Sequence, residues 1–139
     1  MLIKNTNQLK NLVNKFRDEK KTIGAISGSF DDLHDGHKYA LDFCSKKVDR
    51  LIVLVNSDES IKTYKGNERP INTLEKRLEK LEQFSKTIYY LAFNELIPNN
   101  KIEIIKPNYY FLSPEWMNNP VEKTVLLKNN TEIVEHPVK

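Results

Sequence analysis

The sequence predicts an α/β fold: a doubly wound parallel sheet between helical layers, a three-layer α/β/α arrangement. Three observations carry this. Leu51–Val55 (LIVLV) is an unbroken apolar run, which reads as a strand covered on both faces, as parallel sheets require. An earlier apolar run and a helical stripe precede it within about 35 residues, the span of a βαβ unit. Beyond it, helix-like and strand-like stretches keep alternating to the end of the chain.

Each element has its own signal. Residues 5–19 place Leu9, Leu12, Val13 and Phe16 at helical spacing, an amphipathic helix lying on the domain. Thr22–Ser27 (TIGAIS) suits a buried strand ending at Gly28. From Asp35 the pattern turns helical, with His37, Leu41, Cys44 and Val48 on one stripe and Ala40 beside it. Thr73–Phe84 is a charged helix with Leu74, Leu78 and Leu81 inward. Thr87–Ala92, Tyr109–Leu112 and Thr131–His136 read as strands, and Tyr89, Tyr90, Tyr109 and Tyr110 are strand residues. Pro120–Lys128 fits either a helix or a hairpin arm turning through Asn129–Asn130. With 139 residues, one domain over 1–139 is expected, residues 1–20 packing on it as a helix.

Composition narrows the function. The chain is 39% hydrophobic and 29% charged, as in ordinary globular domains. Its net charge of +3 is mild and no dense Lys/Arg block stands out, which argues against nucleic acid and leaves small anionic ligands open. Cys44 is the single cysteine, so neither an internal disulfide nor a multi-thiolate metal site is possible, and its place on the inward stripe makes it a core thiol. No run approaches membrane-spanning or signal-peptide length, so a cytoplasmic protein without membrane contact is expected.

In doubly wound sheets ligands bind beyond the carboxyl ends of the strands. The first long strand runs into Gly28-Ser29-Phe30-Asp31-Asp32-Leu33-His34-Asp35-Gly36-His37, which is neither G-x-G-x-x-G nor a Walker A loop. It still has the parts of an anion site. Gly28 and Gly36 permit close backbone approach, and the helix opening near Asp35 offers N–H groups at a positive dipole end. His34 and His37 lie three apart across that helix start, so both imidazoles can reach one crevice and donate to phosphate oxygens. A histidine here could equally cap the helix, and a metal site of Asp31, His34 and His37 would lack a fourth ligand. No Ser-His-Asp or Cys-His set is evident, which agrees with direct displacement.

Gly28-Ser29-Phe30-Asp31-x-x-His34-x-Gly36-His37 resembles the G-x-F-D-x-x-H-x-G-H signature of the cytidylyltransferase-like nucleotidyltransferases, whose fold is Rossmann-like. Val55–Ser60 and Lys65–Arg77 resemble the bacterial ADP-heptose synthase nucleotidyltransferase domain, with glycerol-3-phosphate cytidylyltransferase a close second. The resemblance implies transfer of a nucleoside monophosphate from ATP or CTP to a sugar phosphate or glycerol phosphate, with release of pyrophosphate. It implies that His34 and His37 stabilise the transition state and that Lys46 approaches the triphosphate. Gly28, Ser29, Phe30, Asp31 and Gly36 would hold the nucleotide, with Arg77 on phosphate and Trp116 near the base. Asn56, Asp58, Lys65 and Arg69 would lie near the acceptor substrate. Mg²⁺ would accompany the triphosphate, and a homodimer is implied. Three departures stand out. Ser113-Pro114-Glu115-Trp116 replaces the family's Gly-Asp-Asp-Trp, Val48 replaces a Gly, and no Gly-Ile-Ser-Thr-Thr-like segment follows Glu135. These favour, as the alternative, a nucleotide- or sugar-phosphate-binding module with little catalysis.

Overall fold

The computed structural model describes residues 1–137 except Asn67, Leu96 and Asn119, and Tyr64 by its backbone alone. Its centre is a six-stranded sheet of β1 (Leu2–Ile3), β2 (Ile23–Gly28), β3 (Arg50–Asn56), β4 (Tyr89–Phe93), β5 (Tyr109–Leu112) and β6 (Glu132–Glu135). The spatial order is β1-β4-β3-β2-β5-β6 and every pairing is parallel. From β2 the chain steps outward through β3 to β4, then returns to place β5 on the other side of β2. That reversal creates a switch point between the carboxyl ends of β2 and β5.

Among the described residues six α-helices cover the sheet: α1 (Thr6–Asp18), α2 (Asp35–Lys47), α3 (Asp58–Lys65), α4 (Leu74–Phe84), α5 (Asn99–Ile105) and α6 (Lys123–Lys128). Period-two alternation sends successive strand residues to opposite layers. Ile52 and Leu54 of β3 join Leu9, Val13 and Phe16 of α1, Ile102 and Ile105 of α5 and Leu126 of α6 in one core. Leu51, Val53 and Val55 join Leu41 and Cys44 of α2 and Leu81 of α4 in the other. The three-layer, Rossmann-like expectation therefore holds. Burial pushes the Cys44 thiol up to about 12, as suits a core residue and not a nucleophile.

Gly24 and Val48 explain one departure. A methyl on Gly24 would sit 2.8 Å from the Phe111 ring and 2.9 Å from Val48, so the small residue lies in β2 and the branched one fills the helix exit. Lacking a glycine there, α2 ends on an extended Val48 (φ −134°) that leads straight into β3.

Three elements gave no clear signal in sequence. β1 is two residues long, too short for any periodicity. α3 opens on Ser57, whose side chain accepts from the Ser60 N–H, and closes on Gly66 at φ 95°, a conformation that glycine adopts freely. α5 has no side-chain cap, only Pro98 before it. The ambiguous Pro120–Lys128 stretch forms α6, and β6 runs parallel to β5, which excludes a hairpin through Asn129–Asn130. No helix among the described residues is long and apolar enough to cross a membrane.

Candidate functional site

The loop leaving β2 at the switch point is built around two inward anchors. Phe30 adopts φ 49° and is only 7% exposed; its ring lies against Gly28, where a Cβ would come within 3.0 Å of it. Asp31 is 6% exposed and accepts from the Ile71 and Asn72 N–H groups at 2.8 Å each, while the Asn72 amide donates to the Asp31 carbonyl. Arg69 approaches the same carboxylate at 3.5 Å across a cis Arg69–Pro70 peptide. Phe30 and Asp31, expected to hold the nucleotide through their backbone groups, turn their side chains inward, where they fix the loop's shape. The sequence assigns Asn72 no role of its own; its place within the Lys65–Arg77 block is the one hint of this one.

Burial alone would raise the Asp31 pKa, but the hydrogen bonds from Asn72 and Ile71, with Arg69 and Arg77 nearby, hold it below the usual carboxylate range. A depressed folded-state pKa gives stability that is present above the unfolded value and lost as pH falls through the folded one. Asp31→Asn is therefore expected to cost about 1–3 kcal/mol at pH 7. The gap from wild type should narrow as denaturation is repeated down to pH 3. A constant gap would show that the Asp31 charge is not what holds the loop.

Above these anchors stand the two histidines. His34 is the N-cap of α2: its Nδ1 accepts from the Gly36 N–H at 3.0 Å and the His37 N–H at 3.4 Å. The capping and the functional readings of this residue thus coexist. They also correct an expectation, because the N–H groups of Gly36 and His37 are turned to His34 and not left open to a ligand. With Nδ1 accepting, neutral His34 carries its proton on Nε2. His37 is the complement. Its Nδ1 donates to the Asp32 carbonyl at 3.1 Å, which leaves Nε2 bare while the ring is neutral. The rings stack with centroids 3.9 Å apart and 18° between planes, and the Phe30 edge meets His37 at 5.4 Å. Burial, then the neighbouring His34, push the His37 pKa down.

The remaining predicted residues divide. Lys65, at the end of α3, donates to the Ser29 hydroxyl at 3.1 Å, so an acceptor-side residue and the β2 loop meet. Arg77 lies inward and is 1% exposed. Its guanidinium donates to the carbonyls of Asn72 (3.1 Å), Ser29 (2.8 Å) and Asn56 (2.7 Å) and to the Asp58 carboxylate (2.7 Å). The expected phosphate ligand is thus the bolt that joins the β2 loop, the end of β3 and the start of α3. Asn56 is buried with its amide on Ser60, and Asp58 faces Arg77. Asn67, inside the Lys65–Arg69 block, lies outside the described residues, as do Val138 and Lys139. Trp116 is exposed on a 3₁₀ turn (Pro114–Trp116) after β5, on the same sheet edge as the histidines. Lys46 is not brought to the site: it lies eleven residues along α2 from Asp35, roughly 16 Å at about 1.5 Å per residue, and pairs with Asp42 at 2.9 Å. A shallow cleft lined by Ser45, Asp49, Arg50, Leu51, Thr87 and Ile88 lies at the opposite edge of the sheet and carries none of these groups. Among the described residues no group of three or more His, Cys, Asp or Glu is placed to hold a metal.

A model of the family described as cytidylyltransferase-like matches residues 25–138, which includes this whole constellation. The chain belongs to the cytidylyltransferase-like family. Membership makes it a relative of nucleotidyltransferases and agrees with the resemblance carried by Gly28–His37. Among curated proteins, the "Bifunctional protein HldE" of Actinobacillus succinogenes is 42% identical over 102 residues, 73% of this chain and 21% of that protein. Its Pasteurella multocida counterpart is 40% identical over 101 residues, with the same coverage. The chain thus spans about a fifth of the length of the curated relatives it matches (21%). The lipopolysaccharide core biosynthesis protein of Thermoplasma volcanium superposes with TM-score 0.68 at 24% identity, over 86% of this chain and 98% of that one. A pantoate-beta-alanine ligase of Francisella tularensis, complexed with beta-gamma ATP and beta-alanine, superposes with TM-score 0.73 at 14% identity, over 100% of this chain and 67% of that one. Both show likeness of fold.

Proposed function

We propose that this chain transfers a nucleoside monophosphate from a nucleoside triphosphate to a phosphorylated small molecule and releases pyrophosphate. The observation that carries the reading is the stacked His34–His37 pair at the start of α2, beyond the carboxyl end of β2, with both Nδ1 atoms tied to the backbone so that Nε2 is the nitrogen each ring has to offer. An oxygen of the acceptor phosphate would attack the α-phosphorus in line, breaking the bond to the pyrophosphate oxygen with no covalent enzyme intermediate. His34 Nε2–H would donate to a triphosphate oxygen, and more strongly as charge develops there. His37, neutral when the site is empty, would take up a proton as phosphate charge enters and become the second donor. Lys65, in contact with the Ser29 hydroxyl, would receive the acceptor phosphate beside the nucleotide held at the Gly28–Asp31 turn. Magnesium would arrive on the triphosphate, a mode suited to a cation that keeps most of its water. The Lys65–Arg77 block favours ATP with a sugar phosphate, and CTP with glycerol phosphate is the next pair. A homodimer belongs to the same proposal and is checked by light scattering after gel filtration.

The withdrawal of Arg77 into the core and of Lys46 to the far end of α2 favours a second reading. With fewer cations at the phosphates, the site would bind nucleotide or sugar phosphate and turn over little. Pyrophosphate release, with ATP and CTP crossed against heptose 1-phosphate and glycerol 3-phosphate, separates the two. Release with one pair is the expected result. Silence across the panel, with nucleotide binding intact by calorimetry, would leave the binding module.

A further inference from the structure

The stacked pair rests on a third ring. Phe30 meets His37 with centroids 5.4 Å apart and 65° between planes, and His37 stacks on His34 at 3.9 Å and 18°. Phe30 is buried and shares one apolar core with Leu41 of α2 and Val53 and Val55 of β3. The three rings thus form a column whose foot is set in the core and whose far end is His34.

Hydrogen bonds alone do not hold this column. His34 accepts two backbone N–H groups at Nδ1, whereas the His37 ring, among the described residues, has one partner, the Asp32 carbonyl at 3.1 Å. A ring with one hydrogen bond can still tilt about it; an edge-to-face contact with a second ring opposes the tilt. The glycine ahead of the loop is fitted to the same ring. Gly28 is not at positive φ, so its backbone does not ask for glycine. Space does: the three atoms nearest a Cβ there all belong to the Phe30 ring, at 3.0, 3.2 and 3.5 Å. Phe30 itself holds φ 49°, a conformation bulky residues rarely adopt, which persists where the surrounding packing imposes it and clusters at functional sites.

We propose that Phe30 is a positioning residue for the transfer: seated in the space that Gly28 leaves, its ring sets the plane of His37 and, through the stack, that of His34. The inference rests on the histidine roles proposed above. It also gives Gly28 a reason to be glycine that needs no ligand, namely room for this ring.

The test compares wild type, Phe30→Leu, Gly28→Ala and the double variant by pyrophosphate release and by NMR of the histidine rings. The chain has three histidines, and His136, just past β6, is the internal control. Phe30→Leu keeps apolar filling but no ring. It should lower kcat about tenfold and leave KM for the triphosphate within about twofold, because a tilted imidazole still meets the phosphates but serves the transition state poorly. The His34 and His37 ring signals should move while those of His136 stay. Gly28→Ala, which pushes the Phe30 ring by a few tenths of an ångström, should do the same in smaller measure. The double variant should be no worse than Phe30→Leu, since the added methyl then meets no ring. Unmoved His34 and His37 signals in Phe30→Leu would overturn the inference, and so would moved signals with wild-type kcat. Losses in kcat that multiply in the double variant would overturn the role given to Gly28. A wild type that releases no pyrophosphate with any pair would instead sink the transfer reading, and the ring signals would still tell whether Phe30 places the histidines. Should Phe30→Leu not fold, Gly28→Ala, which keeps every other side chain, decides alone.

Discussion

Arg77→Ala is expected to lose about 3–5 kcal/mol of stability, a large share of the roughly 5–15 kcal/mol that holds a typical domain together. The truncation leaves three carbonyls, of Ser29, Asn56 and Asn72, without their donor and the Asp58 carboxylate without its ion pair. Asp58 is partly exposed and can turn to water; the Asn56 carbonyl bonded to Arg77 is buried and cannot. Arg77→Lys keeps the charge but not the planar fork that reaches four acceptors, so it should recover only part of the loss. Urea denaturation of the three proteins measures this. An alanine variant within about 1 kcal/mol of wild type would mean that the four contacts are not what joins these segments. Because Arg77 holds Ser29 on one side and Asn56 with Asp58 on the other, the lysine variant should also lose affinity for nucleotide and acceptor together.

The second large effect is on turnover. His34→Ala removes both the N-cap of α2 and the Nε2–H donor, so it should cost about 1 kcal/mol of stability and about 10²–10³ in kcat. His34→Asn separates the two roles. An asparagine oxygen can accept from the Gly36 and His37 N–H groups as Nδ1 does, so stability should return to within a few tenths of a kcal/mol of wild type. It cannot place a donor where Nε2 stands, so turnover should stay low. Pyrophosphate release measured beside a melting curve checks both. Wild-type turnover in the asparagine variant would assign His34 to capping alone.

Much of the fold was legible because burial on two faces leaves an unmistakable run, as in Leu51–Val55, and because α2 and α4 each carry a full apolar stripe. β1 and α5 were not, since two residues hold no period and Asn99–Ile105 has no capping side chain. In the site, the histidines were legible from type and spacing. Directions were not. Asp31 reads as one more loop carboxylate until Ile71 and Asn72, forty residues on, are seen to donate to it. The fate of Arg77 did leave a signal. It stands three residues after Leu74 and four before Leu81, on the stripe that faces the core, so helical period already pointed it inward. The chemistry of its charge suggested a ligand, and the geometry of its helix suggested burial; the geometry won.

The pairing of β1 with β4 has a consequence for how the chain is made. Leu2–Ile3 find their neighbours at Tyr90–Leu91, and the apolar face of α1 meets Ile102 and Ile105. The edge strand and α1 therefore complete their packing only once β4 and α5, far along the sequence, are in place. Closing that long loop is among the last events of folding, since its entropy must be met before its contacts form. The segment from β1 through α1 is thus among the last to be settled, and chaperones have their longest opportunity there.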